Sequence, residues 1–284
     1  MRSIIHIFGI RFSSDASSDP RMCGVDERWA DFFARTCPNS KQIDQSWCDF
    51  GSQRDSSVKD WVCSGSRYRE IIASRYCLYC ALRFLGMHSV VQSLTYSEIG
   101  RRRFSGIGAS YDISISHTDD LAVVALGVGI DTVGVDIESL DRSARYEALM
   151  KRFFSKDELE ESRSFVSSDL LEPDRDIIKR DFFSRWVIKE SLMKCFSFPS
   201  LASGLRSMVV SNTPYRFSIR CTERLPNFDR RRLNILCGRY LKKNMLAVAT
   251  TSAHGGRPRY LCYEYIEGNF RKACIDWPVL SKES

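Results

Sequence analysis

The sequence predicts an α+β fold, and three stretches carry that prediction: an amphipathic helix over Ser66 to Leu85, a strand pair over Tyr111 to Val128, and a second long helix over Asp176 to Lys194. In the first helix Tyr68, Ile71, Ile72, Tyr76, Tyr79, Leu82 and Leu85 recur at three- and four-residue spacing, so they share one face. Gly86 follows as a stop, because glycine accepts the left-handed backbone that ends a helix. In the strand pair Tyr111, Ile113 and Ile115 alternate with Asp112, Ser114 and Ser116, the pattern of a half-buried strand. The turn His117-Thr118-Asp119-Asp120 then leads into the apolar run Leu121 to Val128. The second helix carries Ile178, Phe182, Phe183, Trp186, Val187 and Met193 as its core-facing stripe.

Around these elements the chain reads as tail and loop. Residues 13 to 20 and 37 to 60 are polar and aperiodic, with a short amphipathic helix between them around Asp26 to Arg35. Residues 1 to 14 hold Arg2, Arg11 and several serines and no acid before Asp15, a composition shared with organelle transit peptides. The apolar segment Ile4 to Ile10 is nevertheless short and interrupted, so residues 1 to 20 read as a tail. The rest divides into an N-terminal half over 21 to 132, a C-terminal half over 133 to 256 and an extension over 257 to 284.

At 284 residues, 43% of them hydrophobic, the chain is long enough to bury one sizeable core or two modest ones. It lacks any run of about 18 or more apolar residues, so no membrane span is expected. The net charge of +7 suits an anionic ligand or an acidic partner and is too small to imply nucleic acid. Arg101 to Arg103 and Arg230 to Arg232 come with no zinc-finger or aromatic-basic pattern, and no nucleic-acid partner is expected. Eleven cysteines, an odd number without regular spacing, fit a reducing, cytoplasmic compartment better than a disulfide scaffold. Cys77 and Cys80 form a C-x-x-C inside a helix with no second pair, which reads as core packing.

Chemistry concentrates in two places. In Val133-Gly134-Val135-Asp136-Ile137-Glu138, strand alternation sends Val135 and Ile137 to the core and Asp136 and Glu138 together to the other face. Two neighbouring carboxylates repel unless one is protonated or a cation lies between them, and a hard divalent ion resolves that economically. Simple solvation of both acids is the plainer alternative. In the second helix Glu190 continues an apolar stripe, and a buried carboxylate needs a cation or a basic partner. Lys194, four residues on, could be that partner as an ordinary helical ion pair. Otherwise Glu190 is a third metal ligand and Lys194 a phosphate contact. Ser155 with Glu158 three residues later reads as a capping box, in which each residue satisfies the other's free backbone N–H.

Gly134 to Glu138, followed by Trp186-Val187-Ile188-Lys189-Glu190-Ser191-Leu192-Met193-Lys194, resembles the paired signatures of the 4'-phosphopantetheinyl transferases in order and separation. Lys151 to Ser155 with Glu158, Ser114-Ile115-Ser116-His117 upstream, and the arginine-bearing stretch Arg67 to Gly86 are similar to further family elements, the last to siderophore-synthetase-activating members. The resemblance covers roughly residues 65 to 250. It implies a monomer of two similar α/β halves related by pseudo-twofold symmetry, with coenzyme A in the cleft between them. The recurrence of Leu121 to Leu126 in kind as Met245 to Thr250 fits such a duplication.

By the same resemblance, Asp136, Glu138 and Glu190 would hold Mg2+, and Glu190, or a metal-bound water, would serve as base toward a serine of an apo acyl- or peptidyl-carrier protein. Lys194 would assist the departing 3',5'-ADP. Arg69, Arg101, Ser116, His117 and Lys189 would contact coenzyme A. Gly100 to Arg103 replaces the Gly-Lys-Pro of many members, which keeps the positive charge and loses the proline's fixed backbone. A noncatalytic module that binds coenzyme A or a carrier is the alternative reading.

Overall fold

The structure, a computed structural model, describes residues 3–12, 32, 65–93, 104–106, 109–142, 146–164, 175–196, 201–213, 216–221, 232–252, 256–266, 269–273 and 275–276. The strands are β1 (Ile4–Arg11), β2 (Phe104–Gly106), β3 (Ala109–Thr118), β4 (Leu121–Val128), β5 (Thr132–Ser139), β6 (Met208–Thr213), β7 (Arg216–Cys221), β8 (Leu233–Tyr240), β9 (Asn244–Thr251), β10 (Arg259–Ile266), β11 (Asn269–Lys272) and β12 (Ile275–Asp276). The helices are α1 (Gly65–Phe84), α2 (His88–Ser93), α3 (Tyr146–Phe153), α4 (Lys156–Ser164), α5 (Arg175–Phe196) and α6 (Leu201–Ser207). The expected α+β class is therefore present.

Three sheets form: six strands in the order β11-β10-β1-β4-β3-β2, four in the order β12-β8-β9-β5, and the ribbon β6-β7. One arrangement occurs twice. Strand β1 pairs antiparallel with β4, which pairs antiparallel with β3; β5 pairs antiparallel with β9, which pairs antiparallel with β8. In each case a long helix lies between the first strand and the hairpin in sequence, α1 packing on β4 and α5 on β5 and β9.

Side-chain alternation makes the layers. Phe8, Ile10, Ala122, Val124 and Leu126 face α1, with Ile72, Cys77, Leu78 and Leu82. Their neighbours Ile5, Ile7, Leu121, Val123 and Ala125 face the second sheet, against Val133, Val135, Ile137, Leu246 and Val248. Ala247 and Ala249 turn the other way, onto Phe183, Val187 and Leu192 of α5. Strands β4 and β9 are thus covered on both faces, which is why each reads as a continuous apolar run.

Helix α1 ends as the sequence predicts. Gly86 has φ +70°, its N–H donates to the Arg83 carbonyl at 2.9 Å, and the Met87 N–H donates to the Leu82 carbonyl at 2.9 Å. These two bonds close a Schellman cap and satisfy carbonyls that the helix itself leaves open. Cys77 is buried in the core beneath α1, as the packing reading of the C-x-x-C requires.

Two expectations need correction. The tail expected over residues 1 to 20 does not hold for residues 4–11: β1 lies inside the six-stranded sheet, between β4 and a parallel partner, β10, from the expected extension. Its β-branched and aromatic residues bury on both sides, and burial decides the matter over shortness. Likewise, the polar side of β3 is not solvated. Asp112, Ser114 and Ser116 are all buried, because they face the free edge of β5. The Val133 N–H donates to Asp112 Oδ2 at 2.6 Å and the Val135 N–H to Ser114 Oγ at 2.9 Å, so side chains of β3 stand in for a missing neighbour strand. The helix expected around 26 to 35 and the loop over 37 to 60 lie outside the described residues, apart from helical Phe32.

Candidate functional site

The join between the two sheets is also where the acids meet. Ser116, next along β3 after the two residues that cap β5, donates from Oγ to Asp136 Oδ1 at 2.8 Å. Asp136 lies on the α5 side of β5, and the helix comes close to the strand because position 134 is glycine. A Cβ there would lie 1.9 Å from the Ser191 carbonyl oxygen and 2.6 Å from the Cys195 nitrogen, both backbone atoms that cannot swing aside. That contact brings the last turns of α5, with Glu190 and Lys194, over the strand.

The ammonium of Lys194 donates to Asp136 Oδ1 at 2.7 Å and to Ser116 Oγ at 2.9 Å. It therefore bonds across to β5 and β3 rather than serving as a plain helical partner of Glu190. Its place in the last turn of α5 also suits a cation, since the unpaired carbonyls there carry negative charge.

Three carboxylates share this corner. Asp136 is 4% exposed, and its Oδ2 is buried without a hydrogen-bond partner. Glu138 accepts from Arg142 Nη1 at 2.9 Å, and its carboxyl is pushed up first by burial and then by Asp136, with Arg142 opposing. Glu190 is pushed up to about 7, first by burial and then by Asp136, an effect that Lys194 offsets in part. The charge of Asp136 thus bears on both glutamates, and that of Glu138 on Glu190.

Beside this group His117 closes β3, with Nδ1 3.4 Å from Glu70 Oε2 of α1. The turn after β3 is confined to Asp119 and Asp120. Glu70 and Arg142 are members of this corner that sequence reasoning missed. Glu70 lies next to Arg69 on a helix face whose partner cannot be read from spacing, and Arg142 lies four residues past Glu138 beyond the end of the strand, where no periodicity applies.

Lys189 is not part of the site. The expected coenzyme A contact is corrected by geometry: its side chain is wholly buried on the opposite face of α5. There it donates to Glu158 Oε2 at 2.8 Å, the Leu205 carbonyl at 2.9 Å and the Phe153 carbonyl at 3.3 Å. Burial lowers its affinity for a proton, and Glu158 opposes that shift. Glu158 is the capping-box residue, accepting from the Ser155 N–H at 2.7 Å while its own N–H donates to Ser155 Oγ at 3.2 Å. The Lys151-to-Glu158 element and the helix signature are therefore wired together structurally. Arg69 lies on α1 with its side chain outside the described residues, and Arg101 lies outside them altogether.

A divalent cation is a fair occupant for the acidic corner. Among the described residues no three His, Cys, Asp or Glu side chains stand close enough to enclose an ion. Even so, a buried carboxylate oxygen without a hydrogen bond and two glutamates held toward their protonated forms are the marks of negative charge awaiting a counter-ion. Carboxylate oxygens are the donors a hard cation takes.

Residues 132–235 match the model of the 4'-phosphopantetheinyl transferase superfamily, a stretch that includes Asp136, Glu138, Glu190 and Lys194. Among solved structures, the holo-[acyl-carrier-protein] synthase of Thermotoga maritima is similar at a TM-score of 0.34 and 12% identity, over 52% of this chain and 86% of that one. No curated protein matches the sequence. No helix among the described residues is long and apolar enough to cross a membrane.

Proposed function

We infer that this chain is a member of the 4'-phosphopantetheinyl transferase superfamily and that it transfers the phosphopantetheine arm of coenzyme A to a serine of an apo acyl- or peptidyl-carrier protein, releasing 3',5'-ADP. The observation that carries the reading is the meeting of Asp136 from one strand, Glu190 and Lys194 from one helix and Ser116 from the other sheet at a single corner.

In the reaction the serine oxygen forms a bond to the β-phosphorus of coenzyme A as the bond from that phosphorus to the nucleotide's phosphate oxygen breaks. Asp136, Glu138 and Glu190 would hold the magnesium ion. When bound, that ion neutralises pyrophosphate charge and makes the phosphorus more open to attack. The protein's own groups do the rest. Glu190, beside Asp136 and Lys194, takes the serine proton as general base. Lys194 places positive charge where the leaving phosphate gains its negative charge. Ser116 and His117, at the end of β3, with Arg69 and Arg101, contact the phosphates of coenzyme A. Glu70 Oε2, 3.4 Å from His117 Nδ1, helps to orient that ring.

The repeated strand order supports two halves related by pseudo-twofold symmetry, with coenzyme A between them in a monomer. Among the described residues Cys77, Cys80, Cys195, Cys237 and Cys262 form no disulfide, which fits a reducing, cytoplasmic setting. Incubation with coenzyme A, magnesium and a panel of apo-carriers, followed by intact-mass measurement of each carrier, tests the reading. The added mass of the arm is expected on at least one carrier and is lost in Glu190→Gln. Bound coenzyme A with no transfer to any carrier would favour the noncatalytic module.

A further inference from the structure

The turn after β5 is built to hold one side chain over the acidic corner. Leu140 N–H donates to the Lys243 carbonyl at 2.8 Å, Asp141 N–H to Ser139 Oγ at 3.2 Å, and Arg142 N–H to the Ser139 carbonyl at 3.3 Å. With its backbone fixed in this way, Arg142 reaches back to Glu138 Oε2 at 2.9 Å. The two partners differ in access to water: the Arg142 side chain is 53% exposed and that of Glu138 is 16% exposed. Asp119 and Glu70, from the other side of the corner, also stabilise the guanidinium charge. A solvated cation therefore sits on a mostly buried carboxylate, and it can leave into water without stranding itself.

Lys194 is different. It is 23% exposed and divides its donors between Asp136 and Ser116 of two strands, so it is tied into the fold. Of Arg142 and Lys194, the cations at the corner among the described residues, Arg142 is the one that can be exchanged.

We propose that Arg142 is the resident counter-ion of Glu138 and that a divalent cation displaces it, so that guanidinium and metal compete for one carboxylate. The inference rests on the reading that Asp136, Glu138 and Glu190 hold that cation. It assigns Arg142 a positioning role: it keeps Glu138 aimed before the ion arrives, and it sets how much ion is needed to fill the site.

Titration of the full chain with Mn2+, read by loss of the free-ion electron paramagnetic resonance signal, tests the competition directly and without any turnover. An exposed ion pair is worth up to about 1 kcal/mol, so removing the competitor with Arg142→Ala should tighten Mn2+ about two- to fivefold. Arg142→Lys, which keeps the charge, should stay near the wild type. Lys243→Ala, which removes an exposed cation paired to Asp141 at 3.2 Å, should leave the affinity unchanged. In a Glu138→Gln background the gain from Arg142→Ala should vanish, because the carboxylate contested by the two cations is gone.

Equal affinity in the wild type and Arg142→Ala, while Glu138→Gln weakens binding, overturns this inference and leaves the metal reading standing. A gain that persists in the Glu138→Gln background also overturns it, since the effect would then be general electrostatics. Absence of Mn2+ binding by the wild type, with or without coenzyme A, removes the metal reading and this inference together.

Discussion

Two faces of helix α5 carry charges within a few residues of each other and treat them in opposite ways. On one face Lys189 meets Glu158, and Arg185 meets Asp181 at 2.9 Å and Glu161 at 3.0 Å, so buried cations are matched by carboxylates and carbonyls. On the other, Glu190 stands beside Asp136 and Glu138 with Lys194 as the helix's single basic contribution, and acid outnumbers base. The first arrangement is complete in that each buried cation has a carboxylate, and it holds α4 and β6 against α5; the second is incomplete and invites something from solution. The lesson is that a lysine and a glutamate adjacent in sequence can belong to different jobs, because a helix turns about 100° between them.

The strongest way to break the contrast is to unbalance the complete face. Lys189→Ala leaves Glu158 charged and buried, which should cost about 3–5 kcal/mol in chemical denaturation. Pairing Lys189→Met with Glu158→Gln should recover most of it. A coenzyme A affinity that falls in Lys189→Ala at an unchanged denaturation midpoint would erase the distinction between the faces.

Lys194→Ala probes the incomplete face and should do the reverse. Transfer should fall roughly 10²- to 10³-fold, as when one positioned electrostatic contact is removed from a transition state. Stability should drop less than in Lys189→Ala, since the ammonium is partly open to water and Asp136 keeps its hydrogen bond from Ser116. A variant as unstable as Lys189→Ala but still active would move Lys194 to the structural side.

Gly134→Ala acts on the contact between strand and helix. Its methyl group meets the Ser191 carbonyl, and overpacking of this kind costs about 1–3 kcal/mol. Activity should fall further than stability alone explains, since Glu190 and Lys194 are displaced from Asp136; full activity in the folded variant would show that the close approach is incidental.

The smallest expected effect is a pH slope. In metal-free protein the Glu190 carboxyl lies near 7, raised from its ordinary value of 4.5. Over that interval the unfolded chain has lost a proton that the folded chain retains, so stability falls as pH rises, by less than about 1.4 kcal/mol per pH unit. Urea midpoints in chelator from about pH 5 to pH 7, compared with Glu190→Gln, measure the difference. A flat or rising difference would mean that Glu190 is not held against its neighbours' charge.

Much of this was legible in the sequence. Helix α1 with its glycine stop, strands β4 and β9, and the placing of Asp136, Glu138 and Glu190 follow from periodicity, since repeats of 3.6 and 2.0 report which side of an element is inside. Periodicity is silent on what lies opposite. Asp112 and Ser114 look like the wet side of a strand and prove to be the mortar between two sheets, and Lys189 looks like a ligand and proves to be a buried tie. Strand β1 was missed for a related reason: its burial depends on β10, more than 240 residues further along the chain. Arg142 and Glu70 acquire meaning only through partners that the fold supplies.

That pairing has a consequence for biogenesis. Because β1 lies between β4 and β10, the larger sheet cannot close on a growing chain until synthesis has passed residue 266. Until then β1 offers an unpaired edge, and contacts of such long sequence separation are slow to find. A chaperone that shields this strand during translation should therefore improve the yield of folded protein.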